Sequence, residues 1–267
     1  MALATAGAMA VAGTRLPAQQ PEPAGPIADN SFLIEEAYNQ EAGVVQHIST
    51  FSRPDGGGAW AYSFTQEWPL RGMRRQLSYT IPVLQEDGSG TGLGDVALNF
   101  RYQFVGDGGD GLHLAPRATL LLPTGSERRG RGAGGLGLQG NLPLSIRPLP
   151  ALALHANAGL TYTLRAKDAQ DQTAPTVNGN LGGSAIWLLR PNFNLMLELL
   201  WLSTEQVIGT DRTVREDTFL LNPGVRWAFD FPSGLQIVPG VAYTVGLGDG
   251  GEDGLFFYLS FEHPFRR

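Results

Sequence analysis

The sequence predicts an all-β fold, a transmembrane antiparallel barrel of about twelve strands preceded by a short helical segment. Three observations carry this expectation. Runs of about ten residues alternate apolar with polar side chains. The connections between them alternate between tight and long. The polar positions hold Asn, Gln, Thr and Arg, whereas a soluble β-sheet wets its outer face with Lys and Glu; here the single lysine is Lys167, in an expected loop.

Residues 1–18 read as a signal peptide: "MALATAGAMAVAG" is apolar but too short for a stop-transfer helix, and Ala18 precedes a plausible cleavage point. No Lys or Arg stands before the apolar run, as a signal whose start has been set too far downstream would show. Residues 19–29 form a Pro-rich linker. Residues 30–42 predict one short helix, capped by Asn30 or Ser31, with Glu35 and Glu36 in its early turns where carboxylates suit the helix dipole. Its Phe32, Glu35, Glu36, Tyr38 and Glu41 make it a candidate plug, with a latch or an extension of the first strand as the alternative.

The barrel is expected over 43–265. "VVQHISTF" opens it with a parity the residues leave open. "AWAYSFTQEW" sets Trp60, Tyr62, Phe64 and Trp68 against Ser63, Thr65 and Glu67, and "RRQLSYTI" sets Leu77, Tyr79 and Ile81 against Arg74, Gln76 and Ser78. "GDVALNFRYQF" sets Val96, Leu98, Phe100 and Tyr102 against Asp95, Asn99, Arg101 and Gln103. The same parity turns His113 and Arg117, then Asn141, then His155, Asn157 and Arg165, to the polar side. Asn180, Glu198, Asn222 and Arg226 follow on the next three strands, and "LQIVPGVAYTV" and "LFFYLSFEHPF" finish the series. In a membrane barrel the apolar side meets lipid and this polar set lines the lumen.

"LRG", "RPLP", "RPN" and "FPSG" are tight connections; "QEDGSGTG", "TGSERRGRG", "AKDAQDQTA", "STEQVIGTDRTVRED" and "GLGDGGEDG" are long and polar. Tight turns belong in the periplasm and long loops outside, which places both ends of the barrel in the periplasm. Trp60, Trp68, Phe104, Trp187, Phe193, Trp201, Trp227 and Phe229 sit near strand ends, as interfacial girdles require. The last strand ends at Phe265 after Leu259 and Phe261, an ending that resembles the signal read by the barrel-assembly machinery.

"NSFLIEEAYNQEAGVVQHI", "GLGDVALNFRYQF" and "LLPTG" resemble outer-membrane barrels of the family named for the MetA pathway of phenol degradation, a group related to the secretion porin of functional amyloid. The similarity spans about residues 30–265. It implies a porin-like or transporter role for hydrophobic or aromatic compounds and defines no substrate.

The expected function is therefore an outer-membrane channel for small, hydrophobic or aromatic solutes in a Gram-negative bacterium. The alternatives are a secretion pore for a protein partner, or a closed structural barrel without flux. The luminal charges either select solutes or pair across the lumen, Arg101 with Glu67 or Asp95 and Arg226 with Glu198, and pairing is the commoner use. Lipid is the expected partner, with lipopolysaccharide phosphates meeting Arg128, Arg129 and Arg131. A net charge of −6 with few basic clusters argues against nucleic acid. The absence of cysteine removes disulfides and thiolate metal sites. No serine has nucleophile-elbow context and no His has a spaced acidic partner, so no enzyme, cofactor or metal is expected. "TGSERRGRGAGG" leads into a strand rather than a helix and is no phosphate loop, and the acidic Gly-rich loops lack calcium-loop spacing.

Overall fold

The computed structural model describes residues 30–106, 111–248 and 250–265; the expected signal peptide (1–18) and linker (19–29) lie outside the described residues. Fifteen strand segments follow in chain order: β1 (Val44–Pro54), β2 (Trp60–Pro69), β3 (Arg75–Glu86), β4 (Gly90–Leu93), β5 (Val96–Tyr102), β6 (Leu112–Leu114), β7 (Arg117–Leu122), β8 (Gly137–Leu149), β9 (Leu152–Lys167), β10 (Thr173–Arg190), β11 (Phe193–Gly209), β12 (Arg212–Trp227), β13 (Phe229–Asp230), β14 (Gln236–Leu247) and β15 (Gly254–Pro264). β4 with β5, β6 with β7, and β12 with β13 are each one stave briefly interrupted, so the wall has twelve staves.

Neighbours in sequence pair antiparallel around the wall, and β15 pairs back onto β1 from Val44–Pro264 to Pro54–Gly254. Closure leaves no free sheet edge, and hydrocarbon offers no water to satisfy one. The side chains show which solvent the outside meets. On β5, Leu98 and Phe100 are 45% and 41% exposed, while Asn99 and Arg101 are 6% and 3% exposed. The same inversion runs along β8, where Leu138, Leu142 and Leu144 face out and Asn141 and Ser145 face in. A greasy exterior around a polar interior is an outer-membrane barrel and not a soluble one.

The β2–β3, β8–β9, β10–β11 and β13–β14 connections are short and share one end, the turn end, with the start of β1 and the end of β15. At the other end, the loop end, Asp95 pins both arms of the β7–β8 loop by accepting from Gly125 N at 2.9 Å and Ala133 N at 2.7 Å. Arg131, 6% exposed, donates to the Ser89 and Gly90 carbonyls.

Two expectations about elements are corrected. "STEQVIGTDRTVRED" is no long loop: β11 and β12 stay paired up to Gly209–Arg212, with Thr210 and Asp211 as the turn. Its Thr, Val and Ile favour strand, and Arg215 pairs with Glu205 across the hairpin at 2.7 Å. Residues 30–42 form no helix; among the described residues the only helical element is the 3-10 turn Glu127–Arg129.

Candidate functional site: a strap across the lumen

Residues 30–43 leave the wall and cross the barrel interior as an irregular strap. Its backbone is satisfied by inward side chains rather than by itself, which is why the helical pattern is not realised. Arg226 Nη1 donates to Asn30 O at 2.5 Å, and Ser31 Oγ meets Ser184 Oγ at 2.6 Å. The N–H groups of Phe32, Leu33 and Ile34 all donate to Glu198 Oε1, at 3.0, 2.8 and 3.0 Å. Three successive amides converging on one carboxylate oxygen form an anion-binding nest. Glu35 N donates to Asn157 Oδ1 at 2.7 Å while Asn157 Nδ2 donates to Glu35 O at 2.6 Å. On the return, Ala37 N donates to Ser145 Oγ and Gln40 N to Gln76 Oε1, both at 2.7 Å.

Apolar anchors fix the strap's height. The Phe32 ring packs on Phe256 at 5.4 Å and Tyr258 at 5.3 Å between centroids. It lies over two glycines of the wall: a Cβ at Gly224 or Gly240 would come within 2.7 or 2.5 Å of the ring. Ile34, 2% exposed, uses Gly182 in the same way. Tyr38 sits edge-on to His113 at 4.7 Å and to His155 at 6.0 Å.

The Glu35 carboxylate is the polar centre. It accepts from Arg117 Nε at 2.8 Å, Asn141 Nδ2 at 2.7 Å and Arg101 Nη1 at 3.1 Å. Burial alone would raise its pKa, but Arg117 and Arg101 outweigh burial and hold it below the usual value. Glu36 has the opposite balance: burial pushes it up to about 7 against the pull of Arg101, with Glu67 adding repulsion.

Most residues expected on the polar side do face inward. Glu67, Gln76, Asn99, Arg101, His113, Asn141, His155, Asn157, Glu198, Asn222 and Arg226 are buried, and Arg117 and Asn180 are half-buried. Two are corrected. Arg74 lies exposed in the β2–β3 turn, one residue before β3 starts. Arg165 is exposed because β9 loses its alternation near the loop end, where the β9–β10 register shifts between Ala174 and Thr176. Asp95 is half-buried and bonds loop amides, not Arg101. Arg101 Nη2 stands 3.7 Å from Glu67 Oε2, while Glu198 is engaged by the strap and by Asn222 Nδ2 at 2.7 Å rather than by Arg226. Glu41 is half-buried where the strap joins β1, its carbonyl accepting from Val44 N. Ser145 Oγ and His155 Nδ1 lie 2.7 Å apart, but Ser145 is fully buried and already holds Ala37 N, so its oxygen serves the strap.

The inward apolar residues are the part that alternation missed. Ile48, Phe256 and Tyr258 line the lumen with Leu33. The signal is in "LFFYL", where both parities are apolar, so one apolar face has to point inward. Above the strap, towards the loop end, a chamber of about 380 Å³ is lined by Leu33, Ile48 and Phe256 interspersed with the hydroxyls of Thr50, Ser63, Thr65 and Thr80, Ile48 standing opposite Thr65 in the β1–β2 register. A second space of about 560 Å³ adjoins it through Leu33 and Phe256 and reaches Glu216, Glu252 and Asp253. Below the strap, beside Pro191 and Asn192, the enclosed space is only about 50 Å³.

A closed barrel with a lipid-facing exterior and a polar, hydrogen-bonded lumen belongs to the class of outer-membrane β-barrels. Among solved structures, the outer membrane channel from Pseudomonas putida F1 is similar at TM-score 0.65 and 13% identity, covering 85% of this chain and 97% of that one. The NanC porin is similar at TM-score 0.54 and 10% identity (84% and 100% covered), and the KdgM porin at 0.51 and 9% (84% and 99% covered). A search of curated proteins finds no match. The family model described as "Putative MetA-pathway of phenol degradation" matches residues 26–252, and the chain belongs to that family.

Proposed function

We propose that this protein is an outer-membrane channel for small hydrophobic or aromatic solutes, and that the strap at 30–43 is its plug. The single observation that carries the reading is the contrast across the strap: a chamber of about 380 Å³ above it and an enclosed space of only about 50 Å³ below it. A solute entering from the loop end meets an amphipathic chamber in which Leu33, Ile48 and Phe256 are interspersed with the hydroxyls of Thr50, Ser63, Thr65 and Thr80. An apolar body with one or two polar groups fits such walls. Passage then requires the strap to shift, because its hydrogen bonds reach wall residues from β3 to β12. The family's description and the channel folds of its structural relatives support the same class of activity.

The test is uptake of a small aromatic such as toluene by cells whose outer membrane lacks other general porins. Expression of the protein raises uptake, and Phe256→Asp removes the gain while the barrel still assembles. Equal uptake with and without the protein would sink the proposal.

A further inference from the structure

Glu35 is the only strap side chain whose carboxylate is met by two guanidinium groups of the wall among the described residues. The receiving groups belong to three different staves: Arg101 on β5, Arg117 on β7 and Asn141 on β8. Arg117 is held in place independently of the strap, while Arg101 also donates to the strap's Asn39 Oδ1 at 2.9 Å and Glu36 O at 3.1 Å. Arg117 Nη1 also donates to Asn99 Oδ1 at 2.8 Å and Thr119 Oγ1 at 2.6 Å, and its Nη2 to Gln139 Oε1 at 3.1 Å. Arg101 is 3% exposed and Asn141 is 7% exposed. Two planar guanidiniums and an amide N–H₂ converging on one carboxylate form a rigid recognition site for that group. Glu67 offsets only one of the two positive charges, at 3.7 Å from Arg101. With Glu35 withdrawn, the site would be left with a net positive charge in a desolvated wall, and such a charge calls for an anion.

We infer that Arg101, Arg117 and Asn141 form a carboxylate-binding site for the solute, and that Glu35 occupies it as a built-in stand-in. The site borders the chamber, whose lining includes Arg101, Arg117, Leu33 and Phe256. The ligand is therefore a small monocarboxylate with an apolar body: the carboxylate takes the place of Glu35 and the body rests against Phe256 and Ile48 of the wall. Solute and strap then compete for one site, so binding weakens the closed state by as much as it prefers the open one. The inference rests on the channel reading for the route by which the solute arrives; the site itself stands on the geometry.

The test is calorimetric titration of the full-length refolded protein with sodium benzoate, and with benzamide as its uncharged counterpart. Glu35→Ala binds benzoate at least about tenfold more tightly than wild type, benzamide does not gain, and adding Arg117→Gln removes the benzoate gain. Equal gains for benzoate and benzamide, or a gain that survives Arg117→Gln, would overturn the inference. Wild-type protein supplies a second measurement should Glu35→Ala fail to fold: millimolar benzoate raises channel open probability in bilayers and benzamide does not, whereas identical responses to both overturn it. Benzoate binding to Glu35→Ala with no conductance in any variant would keep the site and remove the channel reading. Conductance in all variants with no selective benzoate binding would remove the site and keep the channel.

Discussion

Glu198 Oε1 accepts the N–H of Ile34 at 3.0 Å, and the same oxygen also holds Phe32 and Leu33 at 3.0 and 2.8 Å. One fully buried carboxylate on β11 thus fixes the apex of the strap. Removing it strands three amides in a dry lumen. Glu198→Ala is expected to weaken strap docking by about 3 kcal/mol, from the loss of charge-assisted hydrogen bonds. Single-channel recording of Glu198→Ala shows frequent openings at voltages where wild type is closed, while heat-modifiable gel mobility shows the barrel intact. Unchanged gating would mean that Glu198 does not hold the strap.

The glycine notch under Phe32 gives a test of shape. A methyl group at Gly240 would lie 2.5 Å from the Phe32 ring, which is already confined by Phe256 and Tyr258. Gly240→Ala should lift the ring at a cost of about 1–3 kcal/mol and open the channel. Combining it with Phe32→Ala removes the clash, so the two changes are non-additive in a double-mutant cycle of gating. Strict additivity would place Phe32 elsewhere.

Glu36 sets a pH dependence whose sign follows from its raised pKa of about 7 against an ordinary 4.5. Between those values the docked strap binds more protons than the released one, so docking is favoured as pH falls and weakens as pH rises through 7. The charged groups that act on Glu36 include Arg101, Glu67 and Glu35, and Arg226 and Glu262 line the same space below the strap. Glu35, held below 4.5, has the opposite sign, and its contribution is lost only in stronger acid. Open probability should rise roughly tenfold from pH 5.5 to 8, and Glu36→Gln should flatten that rise. An open probability that falls over the same interval contradicts this assignment.

The parity of the wall predicts a sharp contrast between adjacent residues. Leu142 is 47% exposed on the outer face of β8 while Asn141 is 7% exposed on the inner face. Leu142→Arg puts a cation in hydrocarbon and should cost about 2–4 kcal/mol of folding stability in a bilayer if the site lies near the midplane. Asn141→Ser should cost far less. Denaturant titration in lipid vesicles separates the two, and equal losses would argue against a lipid-facing Leu142.

The wall was legible because a period of two assigns every side chain to a face, and Phe100 and Asn99 fell on the sides that alternation gave them. Arg74 and Arg165 departed from it where strands end or slip register, information that no local pattern contains. The strap was misread for a different reason. Its capping Ser31 and early Glu35 and Glu36 satisfy the local rules for a helix. Those rules were overridden by partners more than a hundred residues away, Glu198, Asn157 and Ser145. The arginine partners of Glu35 were equally beyond local rules: Arg101 and Arg117 stand on β5 and β7, more than sixty residues away in sequence. Ile48, Phe256 and Tyr258 were missed because an apolar residue on the luminal side of a barrel breaks the pattern used to find the barrel.

The most direct measurement is planar-bilayer conductance of the refolded full-length protein beside a version lacking residues 19–42. A strap that closes the lumen gives few or no steps from the full-length protein and large, stable steps from the truncation. Equal conductance from both, or silence from a truncation whose folding is confirmed by heat-modifiable mobility, would contradict the strap as the plug of an otherwise open channel.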